Sequence, residues 1–139
     1  MIQKFLNFNI RTKGQKLYEF TGEVLKWIDE NKFTNGILNL SIQHTSASLI
    51  IQENEDPSVK TDLLNYFDKL APMNNSLYTH VKEGKDDMPA HIKSSLTNNQ
   101  ISLSIKVGKL LLGTWQGIYL FEHRLQEQSR IVVLHYLGD

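Results

Sequence analysis

Apolar and polar residues alternate with a period of two in several separate segments of this chain. The pattern is clearest at Ile101, Leu103, Ile105 and Val107, and it recurs between Ile2 and Ile10. A strand with one buried face has this period, whereas an amphipathic helix repeats every 3.6 residues. The pattern therefore predicts antiparallel sheets with one face packed on a core.

Further strands are predicted between turn signals. Asn35 and Gly36 form such a signal, and we expect the segment that follows them, Gly36 to His44, to pair as a hairpin with the next segment. The remaining predicted strands are 15–20, 47–54, 110–112, 115–122 and 130–136.

Helical spacing appears in three places between these strands. Val24, Leu25, Trp27 and Ile28 form one amphipathic face, for which Thr21 is the candidate N-cap. Asp56 and Pro57 are typical of the start of a second helix, which we expect to end before Pro72. A short third helix is predicted at 89–96, with Asp87 as its candidate cap. The chain of 139 residues is thus predicted to be a single α+β domain, 1–139, with antiparallel-rich sheets and two or three helices.

Charge and cysteine content exclude several functional classes. The 15 basic and 15 acidic residues cancel, so no overall field attracts nucleic acid or an anionic membrane, and neither is expected as a partner. The absence of cysteine excludes disulfides, thiolate metal sites and cysteine nucleophiles. Residues 1–11 do not have the pattern of a signal peptide, and a cytoplasmic location is expected.

Three polar groups of residues are candidates for chemistry. In the first, His44 precedes Thr45 and Ser46 at a predicted bend. An imidazole beside two hydroxyls can bind phosphate, hold a metal or transfer a proton. The alternative is a turn in which the hydroxyls bond backbone groups.

The second group has five ionisable residues within twelve positions: His80, Glu83, Asp86, Asp87 and His91. Imidazoles and carboxylates are ligands of zinc and manganese. The spacing matches no established ligand motif, and a solvated loop with a helix cap is the alternative.

The third group combines a glycine-bracketed tryptophan with later charged residues. Arg130 is a candidate bidentate clamp for phosphate oxygens. On a regular strand Glu122 and His123 point to opposite faces, so they do not share one pocket. The members are Gly113, Thr114, Trp115, Gln116, Gly117, Glu122, His123, Arg124 and Arg130.

Geometry separates one acidic segment from the first group. If 47–54 is one strand, Asn54 lies roughly 30 Å from His44, because a strand rises about 3.3 Å per residue. Asn54 and Asp56 then join the His44 site only if chains assemble head to tail. We interpret them as turn and cap residues.

Three sequence blocks carry a family resemblance. They are HTSASLIIQENEDPSVKTDL at 44–63, HVKEGKDDMPAHIKSSL at 80–96 and GKLLLGTWQGIYLFEHR at 108–124. Together they resemble the YjbQ-like family over nearly the whole chain. The polar positions matching these blocks are His44, Thr45, Ser46, Asn54, Asp56, His80, Glu83, Asp87, His91, Thr114, Gln116, Glu122, His123 and Arg130.

The resemblance implies a YjbQ-like sandwich that assembles as a homotrimer. It also implies a secondary thiamin phosphate synthase, an enzyme that joins hydroxymethylpyrimidine diphosphate to thiazole phosphate and releases pyrophosphate. A divalent metal, zinc, manganese or magnesium, is the candidate cofactor, no organic cofactor is predicted, and the expected ligand is a small phosphorylated molecule.

We assign residue roles within this hypothesis as follows. The catalytic candidates are His44, His91 and Glu122; the metal ligands are His44, His80 and His91; phosphate or substrate is bound by Thr45, Ser46, Thr114, Gln116 and Arg130. Two alternatives remain: a metal- or anion-binding trimer without efficient turnover, and a metal-dependent hydrolase.

Overall fold

The computed structural model describes all residues, 1–139, as an α+β structure of two antiparallel sheets and three α-helices. The strands are β1 (Ile2–Thr12), β2 (Lys16–Glu19), β3 (Gly36–Ile42), β4 (Ala47–Glu53), β5 (Gln100–Lys106), β6 (Lys109–Leu110), β7 (Gln116–Glu122) and β8 (Gln128–Gly138). The helices are α1 (Thr21–Glu30), α2 (Pro57–Leu70) and α3 (Asp87–Leu96), with a short 3-10 helix at Asn75–Leu77. The predicted fold class is confirmed.

A five-stranded sheet with the order β1-β8-β3-β5-β6 packs on a three-stranded sheet with the order β2-β7-β4. The main core lies between them. Leu38 and Leu40 of β3 meet Ile118 and Leu120 of β7 there, and α1 adds Val24 to the same cluster. Alternation along each strand sends these side chains inward, as the period of two predicted.

Helix α2 covers the other face of the smaller sheet. Its half-buried Leu63, Leu64 and Phe67 pack against a second cluster that contains Tyr119 and Phe121. Helix α3 packs beside it on β4. The two helices are joined by an ion pair of 2.6 Å between Lys93 and Asp68. No helix in the structure is both long and apolar enough to cross a membrane.

The predicted hairpin of 36–44 with 47–54 is wrong. Strand β3 pairs with β8 and β5, whereas β4 pairs with β7 in the other sheet. The chain crosses between the sheets at 43–46, so His44 and Thr45 lie at the bend between the two layers. Turn signals could not reveal this, because pairing depends on which distant strand buries each apolar face.

Two of the three predicted caps are also wrong. Asp56 accepts from the backbone N–H of Ser58 as expected, with Pro57 following it. Thr21, however, donates its hydroxyl to Glu19 and accepts from the Ile118 N–H, so it links α1 to the sheet. Asp87 is the first residue of α3, and its carboxylate bonds charged side chains instead of the helix backbone.

Candidate functional site

Four side chains of the second polar group converge at the start of α3. One ligand atom from each of His80, Glu83, Asp87 and His91 lies within 4.8 Å of the others. Nε2 of His80 is 2.7 Å from Oδ2 of Asp87 and 3.2 Å from Oε2 of Glu83. Nε2 of His91 is 3.1 Å from the same Asp87 oxygen. We call these four residues the histidine–carboxylate cluster.

Local structure explains why the cluster forms. Asp87 and His91 are four residues apart on α3, so they occupy one face of the helix one turn apart. His80 and Glu83 come from the preceding loop, which turns at Gly84 with a φ of +109°. A side chain is strained at that angle, and an added Cβ would lie 3.0 Å from the Asp86 carboxylate.

Arg124 holds this loop from the end of β7. Its Nε donates to Asp86 at 2.9 Å, its Nη1 to Oδ1 of Asp87 at 2.5 Å and its Nη2 to the Glu83 carbonyl at 3.0 Å. The guanidinium therefore occupies one oxygen of Asp87 and leaves the other, Oδ2, to the histidines. Bidentate and charge-assisted bonds of this kind fix orientation as well as adding energy.

The bend between the sheets fixes the orientation of His91. Its Nδ1 lies 3.0 Å from the carbonyl oxygen of Thr45. Because a carbonyl only accepts, we assign the Nδ1 proton to this bond, which leaves Nε2 to face Asp87. A backbone carbonyl that holds the second nitrogen is the usual support of a metal-binding histidine.

His44 is not part of the cluster. Its Nε2 accepts a hydrogen bond of 2.9 Å from the Ile131 N–H, so its neutral ring carries the proton on Nδ1. Burial and the charge of Arg130 lower the pKa of His44, against an opposing effect of Glu122. Neither nitrogen then offers a free lone pair, so His44 is not part of the ligand set formed by the cluster, and its Nδ1–H is a hydrogen-bond donor.

Charges around the cluster shift two pKa values in opposite directions. The hydrogen bond to Asp87 is the main cause that raises the pKa of His80, and it outweighs desolvation. For Asp87, burial acts to raise the pKa, but the hydrogen bond from His80 and the charge of Arg124 contribute to a pKa below the ordinary value. The two groups thus stabilise each other's charged forms.

A polar pocket of about 270 Å³ opens beside the cluster and contains no apolar residue in its lining. His91 belongs to both the pocket and the cluster. The Ser94 hydroxyl donates to the Ala47 carbonyl and the Ser95 hydroxyl to that of Ile92. The full lining is His44, Thr45, His91, Ser94, Ser95 and Asn99. Ser94, Ser95 and Asn99 were not among the predicted residues, since nothing in their local pattern distinguishes them from an ordinary helix end.

Glu122 and Arg130 form a buried ion pair behind the site. Arg130 is 4% exposed and Glu122 is fully buried; the guanidinium donates to both carboxylate oxygens and also to Ser46. Thr12 donates to the same carboxylate at 2.6 Å. Nε and Nη2 of Arg130 and both Glu122 oxygens are engaged within the protein, so the roles assigned to Arg130, Ser46 and Glu122 as ligand-contacting groups stay predictions.

His123 points to the opposite face from Glu122, as the strand period requires. Its Nε2 lies 2.9 Å from the Ser48 hydroxyl, and its Nδ1 is buried without a partner. Burial, with the charges of Lys93 and Arg130, lowers its pKa to about 3. The ring is therefore neutral and part of the packing between the small sheet and α3.

Thr114 and Gln116 lie at the other end of the small sheet. Strand β7 places Gln116 roughly 20 Å from Glu122, since six steps separate them at about 3.3 Å each. Gln116 accepts from the Gly113 N–H, and Asn54 contacts Trp115 and Glu19 at that same end. Within one chain these residues do not reach the histidine–carboxylate cluster, so the substrate-binding role of Thr114 and Gln116 stays a prediction outside that site. Asn54 lies away from His44, as the sequence indicated.

The donor chemistry of the cluster is compatible with a zinc or manganese ion. In a tetrahedral zinc shell with bonds of about 2.0–2.1 Å, neighbouring ligand atoms are roughly 3.3 Å apart, and the contacts of 2.7 to 3.2 Å are close to that spacing. Two imidazoles suit zinc or manganese better than magnesium, which prefers oxygen ligands. The same contacts also form a hydrogen-bonded cluster when His80 is protonated.

Glu83 and Asp87 were absent from the predicted ligand set, and Arg124 from the predicted site. The i, i+4 spacing of Asp87 and His91 was a usable signal for two ligands on one helix face. No local signal connects Arg124 with Asp86, because 38 positions separate them.

Comparisons with known proteins agree with this fold. The sequence profile described as UPF0047 protein YjbQ-like matches residues 6–139. A UPF0047 protein of Synechocystis sp. is 44% identical over 130 residues, which cover 94% of this chain and 88% of the other. The UPF0047 protein YjbQ of Escherichia coli O157:H7 is 41% identical over 138 residues, 99% of this chain and 98% of its own.

Solved structures extend the comparison. A conserved hypothetical protein from Thermus thermophilus superposes with a TM-score of 0.82 at 31% identity, over 92% of this chain and 97% of that chain. A hypothetical protein from Aeropyrum pernix superposes with a TM-score of 0.87 at 24% identity, over 98% and 99% of the two chains. The second likeness concerns the fold alone.

Proposed function

This chain belongs to the UPF0047 protein YjbQ-like family, and from the geometry of its site we propose that it binds a divalent metal and, beside it, a small phosphorylated molecule. The convergence of His80, Glu83, Asp87 and His91 within 4.8 Å carries this proposal. The Thr45 carbonyl and Arg124 support it, because they orient two of the four donors from outside the cluster. Zinc or manganese is the proposed ion.

The reaction that we propose for the site is thiamin phosphate synthesis. The thiazole nitrogen forms a bond to the pyrimidine methylene carbon, the bond from that carbon to the diphosphate oxygen breaks, and pyrophosphate leaves with the electron pair. When bound, a divalent metal supplies charge that stabilises the departing diphosphate. No nucleophile from the protein is needed.

The protein's own groups would then bind and orient the substrate. The Nδ1–H of His44 donates to a ligand oxygen in the polar pocket, and the exposed Thr45 hydroxyl is available for the same purpose. Glu122 and Arg130 do not contact the ligand in this proposal. Arg130 bonds Ser46 and so fixes the bend that carries Thr45, and Glu122 holds Arg130 in place. In this proposal His91 contacts the reacting region, whereas Glu122 is a positioning residue.

Metal analysis combined with turnover tests the proposal. The untagged full chain would be compared with His80→Ala, His91→Ala and His44→Ala, with Lys26→Ala on the exposed face of α1 as the control. We expect His80→Ala and His91→Ala to lose stoichiometric metal, His44→Ala to keep metal but lose synthesis of thiamin phosphate, and the control to keep both. If no version contains or takes up metal, the metal role is excluded.

A binding protein without efficient turnover is the second candidate. The polar pocket has no lysine or arginine in its lining, and the Arg130 guanidinium is occupied by Glu122. Metal and phosphonate binding without product would favour this candidate. A metal-dependent hydrolase is the third, since Glu83 is the most exposed member of the cluster and its second carboxylate oxygen is a candidate base. A panel of generic phosphoesters tests it, and no turnover across the panel would count against it.

We also propose that the protein assembles as a homotrimer and acts in the cytoplasm. The outer face of the five-stranded sheet exposes Phe5, Ile37 and Leu137, an apolar surface that a second copy could cover. Sedimentation equilibrium of the intact chain and of Phe5→Ser measures the assembly. A trimeric mass that Phe5→Ser lowers would support this surface as the contact.

A further inference from the structure

A second cavity adjoins the histidine–carboxylate cluster at His80. It measures about 410 Å³, within the usual range of ligand sites. His80 belongs to this cavity and to the cluster, just as His91 belongs to the polar pocket and to the cluster. The two imidazole centroids are 5.4 Å apart, so the cluster lies between two spaces. The second cavity is lined by Ser76, Leu77, Tyr78, Thr79, His80 and Met88.

The two spaces differ in chemistry. The pocket at His91 has no apolar lining residue, whereas half of the residues around the second cavity are Leu77, Tyr78 and Met88. The Tyr78 hydroxyl donates to the Pro72 carbonyl at 2.8 Å, so the polar end of this side chain is satisfied within the protein. Its ring then offers apolar surface to a ligand. We call this second space the Leu77–Met88 cavity.

We infer that the ligand of the site has two parts, a metal-binding polar group at the cluster and a planar ring in the Leu77–Met88 cavity. This inference rests on the proposed function, because the two spaces are joined through the proposed metal ligands. A flat ring matches the lining: aromatic rings pair favourably with Tyr78, and the Met88 thioether makes favourable contacts with ring edges. The polar pocket at His91 receives hydrophilic substituents of the same molecule.

Two phosphonates that differ in one group test the inference on the zinc-loaded full chain. Phenylphosphonate and methylphosphonate share the metal-binding head, and only the first carries a ring. We expect phenylphosphonate to bind at least about tenfold more tightly, since the ring leaves water for an apolar surface. Equal dissociation constants in calorimetry would overturn the inference.

Methyl NMR of the methionines locates the ring. The chain has three methionines, and only Met88 lines the cavity. The ¹³C-methyl signal of Met88 should shift with phenylphosphonate and much less with methylphosphonate, while that of the exposed Met1 stays fixed. A ring-dependent shift elsewhere and none at Met88 would also overturn the inference.

Leu77→Ser supplies the variant test, with Leu111→Ser as its control. Both side chains are exposed, at 60% and 52%, so neither change should unfold the protein. We expect Leu77→Ser to reduce the advantage of the phenyl group by about three- to tenfold, while zinc content and methylphosphonate affinity stay unchanged. The assignment of the ring to this cavity is contradicted if Leu77→Ser still prefers phenylphosphonate to the same degree, or if Leu111→Ser loses the preference equally.

Failure of the metal site is distinguishable from failure of the ring cavity. Zinc stoichiometry is measured on the same samples, and phenol is titrated into metal-free protein. If zinc does not bind but phenol shifts Met88, the proposed function fails and the ring cavity stands. If zinc binds and neither phenol nor phenylphosphonate affects Met88, the ring cavity fails alone.

Discussion

In the histidine–carboxylate cluster, Nε2 of His91 lies 3.1 Å from Oδ2 of Asp87, one helical turn earlier. The other ring nitrogen is held by the Thr45 carbonyl, so Nε2 of a neutral ring presents a lone pair to a carboxylate oxygen. Two lone pairs at this distance require a positive charge between them, which is either a proton or a metal ion. Protons and metal therefore compete for the cluster.

Metal affinity should depend on pH through His80. The hydrogen bond to Asp87 raises the pKa of His80 above its ordinary value of 6.5, so the ring keeps its proton to a higher pH. Because a ligand must be deprotonated, we expect metal affinity to rise with pH by up to about tenfold per unit until the raised pKa is passed. Competition titrations with a chelator between pH 6 and 8.5 measure it.

In the metal-free protein, the contribution of His80 to stability changes with pH in the opposite direction to metal affinity. Protonated His80 contributes stability that is fully present below pH 6.5 and is lost as the pH rises through the raised pKa. Lys26→Ala, on the exposed face of α1, should leave the dependence of metal affinity on pH unchanged. An affinity that does not vary with pH in this range would contradict the competition.

Arg124 should be required for both metal affinity and stability. Arg124→Lys keeps the charge but cannot bond Asp86, Asp87 and the Glu83 carbonyl together. We expect zinc affinity to fall about 10- to 100-fold, as is usual when a residue that orients a ligand is changed. Arg124→Ala removes the guanidinium from the buried Asp86 and Asp87, which keep only the Leu125 N–H and the histidines as partners, and this should cost about 1–3 kcal/mol in urea unfolding.

Lys26→Ala is the matched control for this prediction. Lys26 pairs with Glu30 at 3.7 Å on the exposed face of α1, and such pairs contribute at most about 1 kcal/mol. If Arg124→Lys binds zinc as tightly as the control does, Arg124 is not a positioning residue of the site.

Arg130 should contribute mainly to the stability of the fold and affect ligand binding only indirectly, through the bend that carries Ser46 and Thr45. Arg130→Met leaves the fully buried Glu122 without its ion-pair partner, and we expect a loss of about 3–5 kcal/mol in the free energy of unfolding. Arg130→Lys keeps the charge and provides a folded protein for methylphosphonate titration. A large loss of phosphonate affinity in Arg130→Lys, with stability retained, would restore the phosphate-clamp hypothesis.

His123 should make the protein less stable in acid. Its pKa is about 3 in the folded state, against 6.5 for a free imidazole, so the unfolded chain binds a proton that the native chain does not. Stability should then fall as the pH drops below 6.5, by at most about 1.4 kcal/mol per unit. Urea unfolding at pH 7, 6 and 5 gives the slope.

His123→Gln removes this titration, so its stability should change less with pH than that of the unmodified chain. His135→Gln is the control, because His135 is half-buried on the outer sheet face and should leave the slope intact. Equal slopes in the two variants would mean that another group causes the acid sensitivity.

Local sequence signals, such as caps and prolines at helix ends, predicted the bounds of secondary structure well. Helix α2 begins where Asp56 and Pro57 indicated and ends at Leu70, before Pro72. Asp87 shows the limit of such signals, because an aspartate near a helix start usually caps it. Here its carboxylate bonds His80, His91 and Arg124, and charged partners bind a carboxylate more strongly than a neutral backbone N–H does.

By itself the sequence determined the strand and helix segments, the α+β class and the polar groups from which the site is built, because periodicity and caps act between near neighbours. Only the tertiary structure decided that β3 and β4 belong to different sheets, that Arg124 holds the loop of the cluster, and that Gln116 lies at the far end from His91. These relations depend on which distant strands bury each other's apolar faces, and no short stretch of sequence contains that information.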